Sequence, residues 1–100
     1  MKKIVMVLPG TESQIVLIKK LQEKGYKVLC VDPNDNAPAL QMADYYEHAD
    51  ILDTDKCFAI ANSNDVLAVL SDECDIAIPT VAYLNKKLGV HSIGEDLAQL

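Results

Sequence analysis

Positive charge is scarce in this sequence and nowhere concentrated. Nine basic against fifteen acidic residues leave the 100-residue chain with a formal net charge of −6. The basic residues gather only as the pairs Lys2-Lys3, Lys19-Lys20 and Lys86-Lys87. A phosphate backbone would be repelled, which argues against nucleic acid as a partner. Long apolar runs are also missing. No stretch approaches the roughly 20 residues of a membrane span. The opening "MKKIVMVLPG" meets Pro9-Gly10 after an apolar run of only Ile4 to Leu8, too short for a secretory signal. A soluble, cytoplasmic protein with no membrane partner is expected. The three cysteines, Cys30, Cys57 and Cys74, are odd in number and form no CxxC pair, so they read as reduced thiols rather than a disulfide or zinc framework. No Walker loop, Gly-x-Ser-x-Gly elbow or His-Glu-x-x-His occurs, and His48 and His91 lie far apart, so neither a catalytic residue nor a metal site is assigned. Linkers, internal repeats and low-complexity segments are absent.

What is present is one domain's worth of alternating elements. Half of the residues are hydrophobic, a globular composition, and a chain of this length buries roughly 60–70% of its unfolded surface in one core. Ile4 to Leu8 is continuously apolar, the pattern of a parallel strand covered on both faces. Pro9-Gly10 ends it. Thr11 and Gln14 then stand at the spacing of a capping box, before a helix carrying Ile15, Leu17, Ile18 and Leu21 and stopped by Gly25. A second strand spans Lys27 to Val31. Asp35 or Asn36 caps a short helix through Pro38 to Met42, and a weaker strand lies near Tyr45 to His48. Asp53 or Thr54 caps a helix through Cys57, Phe58, Ile60 and Ala61, and Asn62 to Asp65 is a turn. Val66 to Leu70 is the fourth strand, followed by Ser71-Asp72-Glu73 and a helical stretch to Lys87 with Gly89 as its stop. Within that stretch Pro79 marks either a kink or a helix start. Strand and helix alternate four times, which implies parallel βαβ units with right-handed crossovers and a three-layer α/β/α, Rossmann-like domain. Ser92 and Glu95 in "HSIGEDLAQL" repeat the capping-box spacing two turns before the last residue, so the chain is read as the amino-terminal piece of something longer.

In open parallel sheets ligands bind outside the carboxyl ends of the strands, which singles out three loops. In the first, Gly10, Thr11, Glu12 and Ser13 lead into a helix whose start can hold an anion; Glu12 already supplies negative charge, so an ammonium or hydroxyl group suits it better than a bare phosphate. Thr11 and Glu12 acting only as helix caps is the alternative. In the second, Asp32 follows Gly10 by 22 positions, the interval at which a dinucleotide-binding fold places its ribose-reading acid. That fold wants three glycines in the preceding loop and this one has a single glycine, so Asp32-Pro33-Asn34 reads equally as a turn. In the third, Ser71, Asp72, Glu73 and Asp75 offer oxygen at the end of the fourth strand, or else simply start a helix.

The ordered set is similar to the start of ATP-grasp enzymes: carboxylate–amine ligases, carbamoyl-phosphate synthase large chains and biotin carboxylases. The resemblance is carried by "KKIVMVLPGTESQIVLIKKLQEKGYKVLCVDPNDNAPALQMAD" and "VLAVLSDECDIAIPTVAYLNKKLG" followed by "HSIGEDLAQL". The shared features are the Gly-containing loop, Gly25-Tyr26, Val31-Asp32-Pro33-Asn34, Ala37-Pro38, Ala43-Asp44 and Ser71-Asp72-Glu73. The resemblance implies a pre-ATP-grasp domain over residues 1–90, with strand order 3-2-1-4, and residues 91–100 beginning the connection to an ATP-grasp domain. It implies an ATP-dependent ligase that activates a carboxylate as an acyl phosphate and transfers it to an amine or similar nucleophile. ATP and Mg2+ would bind outside this chain, which by itself would be inactive and need no cofactor. The implied partners are the remaining ATP-grasp domains, a small-molecule acceptor and a second copy of the larger enzyme. Gly10, Thr11, Glu12, Ser13, Asp32, Asn34, Asp72 and Glu73 would lie on the acceptor cleft. The competing class is a nucleotide-sensing, NAD-type regulatory domain, resting on the Gly10–Asp32 interval.

Overall fold

The computed structural model describes residues 3–72 and 75–89. Four strands, β1 (Ile4–Val7), β2 (Lys27–Val31), β3 (Tyr45–Glu47) and β4 (Ala68–Leu70), form one all-parallel sheet in the order β3-β2-β1-β4. Three helices, α1 (Ile15–Glu23), α2 (Thr54–Ser63) and α3 (Ile78–Lys87), cover it. The expected fold and strand order are both observed. β1 is central, with Val5 beside Val28 on one flank and beside Ala68 on the other. It reads as an unbroken apolar run because both of its faces are covered. Val5, Val7, Val28, Cys30 and Ala68 point to the face carrying α1, where they meet Leu17, Ile18 and Leu21. Met6, Leu8, Leu29, Val31 and Val69 point to the opposite face, against Cys57 and Ala61 of α2 and Leu84 of α3. Each fully buried aliphatic chain of this kind contributes about 1.5–3 kcal/mol. No helix among the described residues is long and apolar enough to cross a membrane.

Helix ends follow the sequence signals in part. After α1, Gly25 takes φ +94°, the Gly25 amide donates to Gln22 O and the Tyr26 amide to Leu21 O. That pair of bonds satisfies the last carbonyls and needs a residue tolerant of the left-handed region. Asp53 caps α2 through Lys56 N, 3.2 Å away. α2 runs to Ser63, so the turn expected from Asn62 begins two residues late. Pro79 is the second residue of α3 and leaves the helix unkinked, since a first-turn N–H has no intrahelical partner to lose. Two expected caps are not formed. Thr11 makes no side-chain cap, and a short 3-10 turn, Glu12–Gln14, precedes α1. Pro38–Met42 is also a 3-10 turn, preceded by Ala37 rather than capped by Asp35 or Asn36. The helix start read from Ser92 and Glu95 lies outside the described residues, as do His91, Glu73 and Cys74.

Two side chains stand in for missing strands. β4 is an edge, and Asn85 of α3 lies along it: Val69 N donates to Asn85 Oδ1 at 2.8 Å, and Asn85 Nδ2 donates to Val69 O at 2.9 Å. The carboxamide thus completes the ladder that a fifth strand would provide and blunts an edge otherwise open to pairing. Asp44 does the same for β2 at its amino end, accepting from Val28 N at 2.8 Å and from Gln22 Nε2 at 3.2 Å. Asn85→Ala removes both bonds to β4, and at about 1 kcal/mol each it should lower stability by about 2 kcal/mol, read as a shift of the urea midpoint with an unchanged slope.

Candidate functional site

The crossover from β1 to β2 passes over one face of the sheet and that from β3 to β4 over the other, so the strand order reverses at β1. The loops leaving β1, β2 and β4 therefore converge at the switch point where parallel sheets hold ligands. These are the loops singled out from the sequence: 9–14, 32–37 and the segment beginning at 71.

The first two loops are tied by Asp32. Its Oδ2 accepts the Gly10 amide at 2.9 Å and its Oδ1 accepts the Asn34 amide at 2.8 Å. The residue is 8% exposed. Both carboxylate oxygens are thus engaged by backbone, one closing a turn within its own loop and one reaching across to the loop after β1. The Ala39 amide reinforces the contact by donating to Gly10 O at 2.9 Å. Gly10 is required by proximity rather than by backbone angle. An added Cβ would stand 3.0 Å from the Cβ atoms of both Ala37 and Asp32. Asn34 closes a further turn, its Oδ1 accepting from Asn36 N at 2.9 Å. His48, just beyond β3, places Nδ1 3.3 Å from Asp32 O and Nε2 2.9 Å from Asp35 Oδ1, holding the second loop from its outer side.

The first and third loops are tied by Gln14, which is fully buried. Its Nε2 donates to Asp72 O at 2.8 Å and its Oε1 accepts from Asp72 N at 2.8 Å. The sequence reading made Gln14 the second half of a capping box. The structure turns the side chain inward instead, because Gln14 shares the buried stripe of Leu17, Ile18 and Leu21 at intervals of three, four and seven residues. That stripe was the available signal for its burial. Asp44 entered the sequence reading only through the Ala43-Asp44 pair of the family resemblance, and nothing in its spacing marks it as a backbone partner.

Among the expected site residues, Gly10, Thr11, Glu12, Ser13, Asp32, Asn34 and Asp72 are brought to one rim. Gly10 and Asp32 serve it from below. Thr11, Glu12, Ser13 and Asn34 are exposed, and Asp72 is half-buried. Thr11 Oγ1 and Ser13 Oγ lie 3.0 Å apart. The described part of the rim carries carboxylates, hydroxyls and an amide, with no lysine. Glu73 lies outside the described residues. No group of three or more His, Cys, Asp or Glu among the described residues could hold a metal ion.

Beneath the rim, Cys30 is buried with its Sγ 3.9 Å from Pro9 O. Desolvation, and then the charge of Asp32, pushes its thiol up from 9.0 to about 12. Cys57 is also raised, by desolvation and then by Asp53 and Asp50. Neither forms thiolate at neutral pH, so iodoacetamide at pH 8 should leave both unmodified in the folded chain and alkylate both in urea, read by peptide mass mapping. Between pH 9 and 12 the unfolded chain has released the Cys30 proton while the folded chain retains it. The contribution of this thiol to stability, complete below pH 9, is therefore lost as pH rises toward 12. A steeper alkaline loss of urea midpoint in wild type than in Cys30→Ala checks the sign. Asp32→Ala leaves two backbone amides without their charged acceptor and should cost about 3 kcal/mol. Gly10→Ala should cost about 1–3 kcal/mol through overpacking. Thermal and urea unfolding read both.

Comparison with known proteins agrees with this architecture. Phosphoribosylglycinamide synthetase from Anaerococcus prevotii superposes with a TM-score of 0.77 at 22% identity, over 89% of this chain and 23% of that one. N5-carboxyaminoimidazole synthetase from Staphylococcus aureus, solved with ADP, gives 0.71 at 18% identity, over 87% and 23%. Glycinamide-RNase-transformylase T from Mycobacterium tuberculosis gives 0.70 at 21% identity, over 85% and 24%. At these identities the likeness shows the fold, and the chain spans about a quarter of the length of each. No curated protein matches the sequence. Residues 1–98 match the family described as the ribonucleotide synthetase pre-ATP-grasp domain. With its parallel 3-2-1-4 sheet and the loops gathered at the switch point, the chain belongs to the pre-ATP-grasp domain family of the ribonucleotide synthetases.

Proposed function

We propose that the chain is the acceptor-side domain of an ATP-dependent ligase that activates a carboxylate as an acyl phosphate and joins it to an amine or similar nucleophile. The observation that carries this reading is the rim. Three loops fixed to one another at the switch point present Glu12, Asp72, Thr11 and Ser13, which can accept from an ammonium group or exchange hydrogen bonds with hydroxyls. Membership of the family supports the reaction class. ATP and Mg2+ belong, in this reading, to the domains that follow. Their docking surface is the apolar group at the carboxyl end of the sheet, Leu52, Ile76 and Ile78, exposed by 66, 65 and 60%. Thr80 Oγ1 donates to Ile51 O at 2.8 Å and draws the start of α3 against that turn. Exposed aliphatics grouped in this way mark an interface more often than free surface.

The rival reading, an NAD-sensing domain, needs the Asp32 carboxylate for a ribose and two more glycines in the first loop. Here both oxygens of Asp32 hold backbone amides. Calorimetry on the isolated chain separates the two: the ligase reading expects no NAD binding and ATP binding no tighter than millimolar, whereas micromolar affinity for NAD supports the rival. In the ligase that carries this domain, ADP release from ATP and Mg2+ should require both a carboxylate and an amine. A panel of ethanolamine, glycine and a ribonucleotide amine, each with several carboxylates, tests this. ADP release indifferent to both cosubstrates would contradict the proposal.

A further inference from the structure

Gln14 does more in this structure than fill a place in the core. Resting on the ligase reading above, we infer that it is the positioning residue that sets Asp72 against the first loop and thereby fixes the spacing of the two acids, Glu12 and Asp72, that meet the acceptor. Three observations carry this.

The Gln14 carboxamide is fully buried, and it meets Asp72 through both backbone groups at 2.8 Å. A paired donor and acceptor on one residue constrains orientation as well as distance, as a strand neighbour would. The contact joins residues 58 positions apart.

Residues 71–72 lie beyond the end of β4 and outside any helix or strand. Gln14 approaches this segment once more, its Nε2 standing 3.5 Å from Ser71 Oγ, and at the base of the segment the Leu8 amide donates to Leu70 O at 3.3 Å. The Gln14 side chain thus grips Asp72 through both of its backbone groups beyond the last residue of β4.

Gln14 is itself rigidly mounted. Its amide donates to Thr11 O at 3.0 Å, so the side chain that grips Asp72 is anchored in the 3-10 turn that also carries Glu12. Glu12, Gln14 and Asp72 form one unit, with the buried amide as its middle member.

The test uses the ligase that carries this domain, with the amine of the panel that turns over fastest as the probe. Gln14→Leu keeps the bulk and removes both bonds; Gln14→Met is a second variant should that one fold poorly. Asn85→Ala, which loosens β4 away from the rim, controls for lost stability. Gln14→Leu should raise KM for the amine about tenfold or more, leave KM for ATP within about twofold, and move the Asp72 amide proton resonance upfield. Asn85→Ala should do none of these. Because Gln14 holds only the backbone of Asp72, Asp72→Ala leaves the clip in place. On that background Gln14→Leu should add less than twofold, since the two act through one contact. Amine KM unchanged despite a displaced Asp72 resonance would overturn the inference. So would amine and ATP KM rising together, or effects of Gln14→Leu and Asp72→Ala that multiply. A wild-type ligase with no amine-dependent turnover would instead overturn the reading of function, and this inference with it.

Discussion

The carboxylate of Asp32, at the end of β2, holds the backbone amide of Gly10, at the end of β1. Nearly everything at the carboxyl end of the sheet depends on that contact. It brings two loops within van der Waals distance, which leaves no room for a side chain at position 10. It places Asp32 beside Cys30, whose thiol is driven up by its burial first and by that neighbouring charge second. It also removes from solvent the one acid whose position suggested a ribose. A charge this deep is tolerable because both oxygens are met by N–H donors; half-met, it would cost several kcal/mol.

Gln14 repeats the solution on the other side of β1 with a neutral group. An acid to the left and an amide to the right each grip backbone rather than side chain, so the loop after β1 is bound to both neighbours. Asn85 does the same along the edge strand β4, and Asp44 at the amino end of β2. In a domain this small, side chains that imitate a strand are a compact way to satisfy backbone groups for which the described residues supply no further strand. The rim that results is fixed beneath and polar above.

Much of this was legible. Continuous apolar runs at Ile4–Val7 and Val28–Val31 announce strands buried on both faces, and Gly25 and Gly89 announce the ends of α1 and α3, because burial and chain termination act locally. The three loops at the switch point follow from topology alone. What could not be read is where the polar side chains in those loops would turn. Thr11 and Gln14 have capping-box spacing, but the apolar stripe of α1 draws position 14 inward, and a tertiary partner 58 residues away outcompetes a local one. Asp32 has ribose-reading spacing, but its Oδ2 accepts the Gly10 amide of the loop after β1 at 2.9 Å. Local spacing identifies these residues as important; only the packed sheet decides what they bond.

Amide hydrogen exchange measures directly whether the loops are held as one body. If the Asp32–Gly10 and Gln14–Asp72 contacts fix the rim, the amides of Gly10 and Asp72 should exchange nearly as slowly as that of Met6 in the middle of β1, since all three would need the domain to open as a whole. Exchange at Gly10 and Asp72 faster than at Met6 by several orders of magnitude would contradict the account, because it would mean that the loops open while the sheet stays closed.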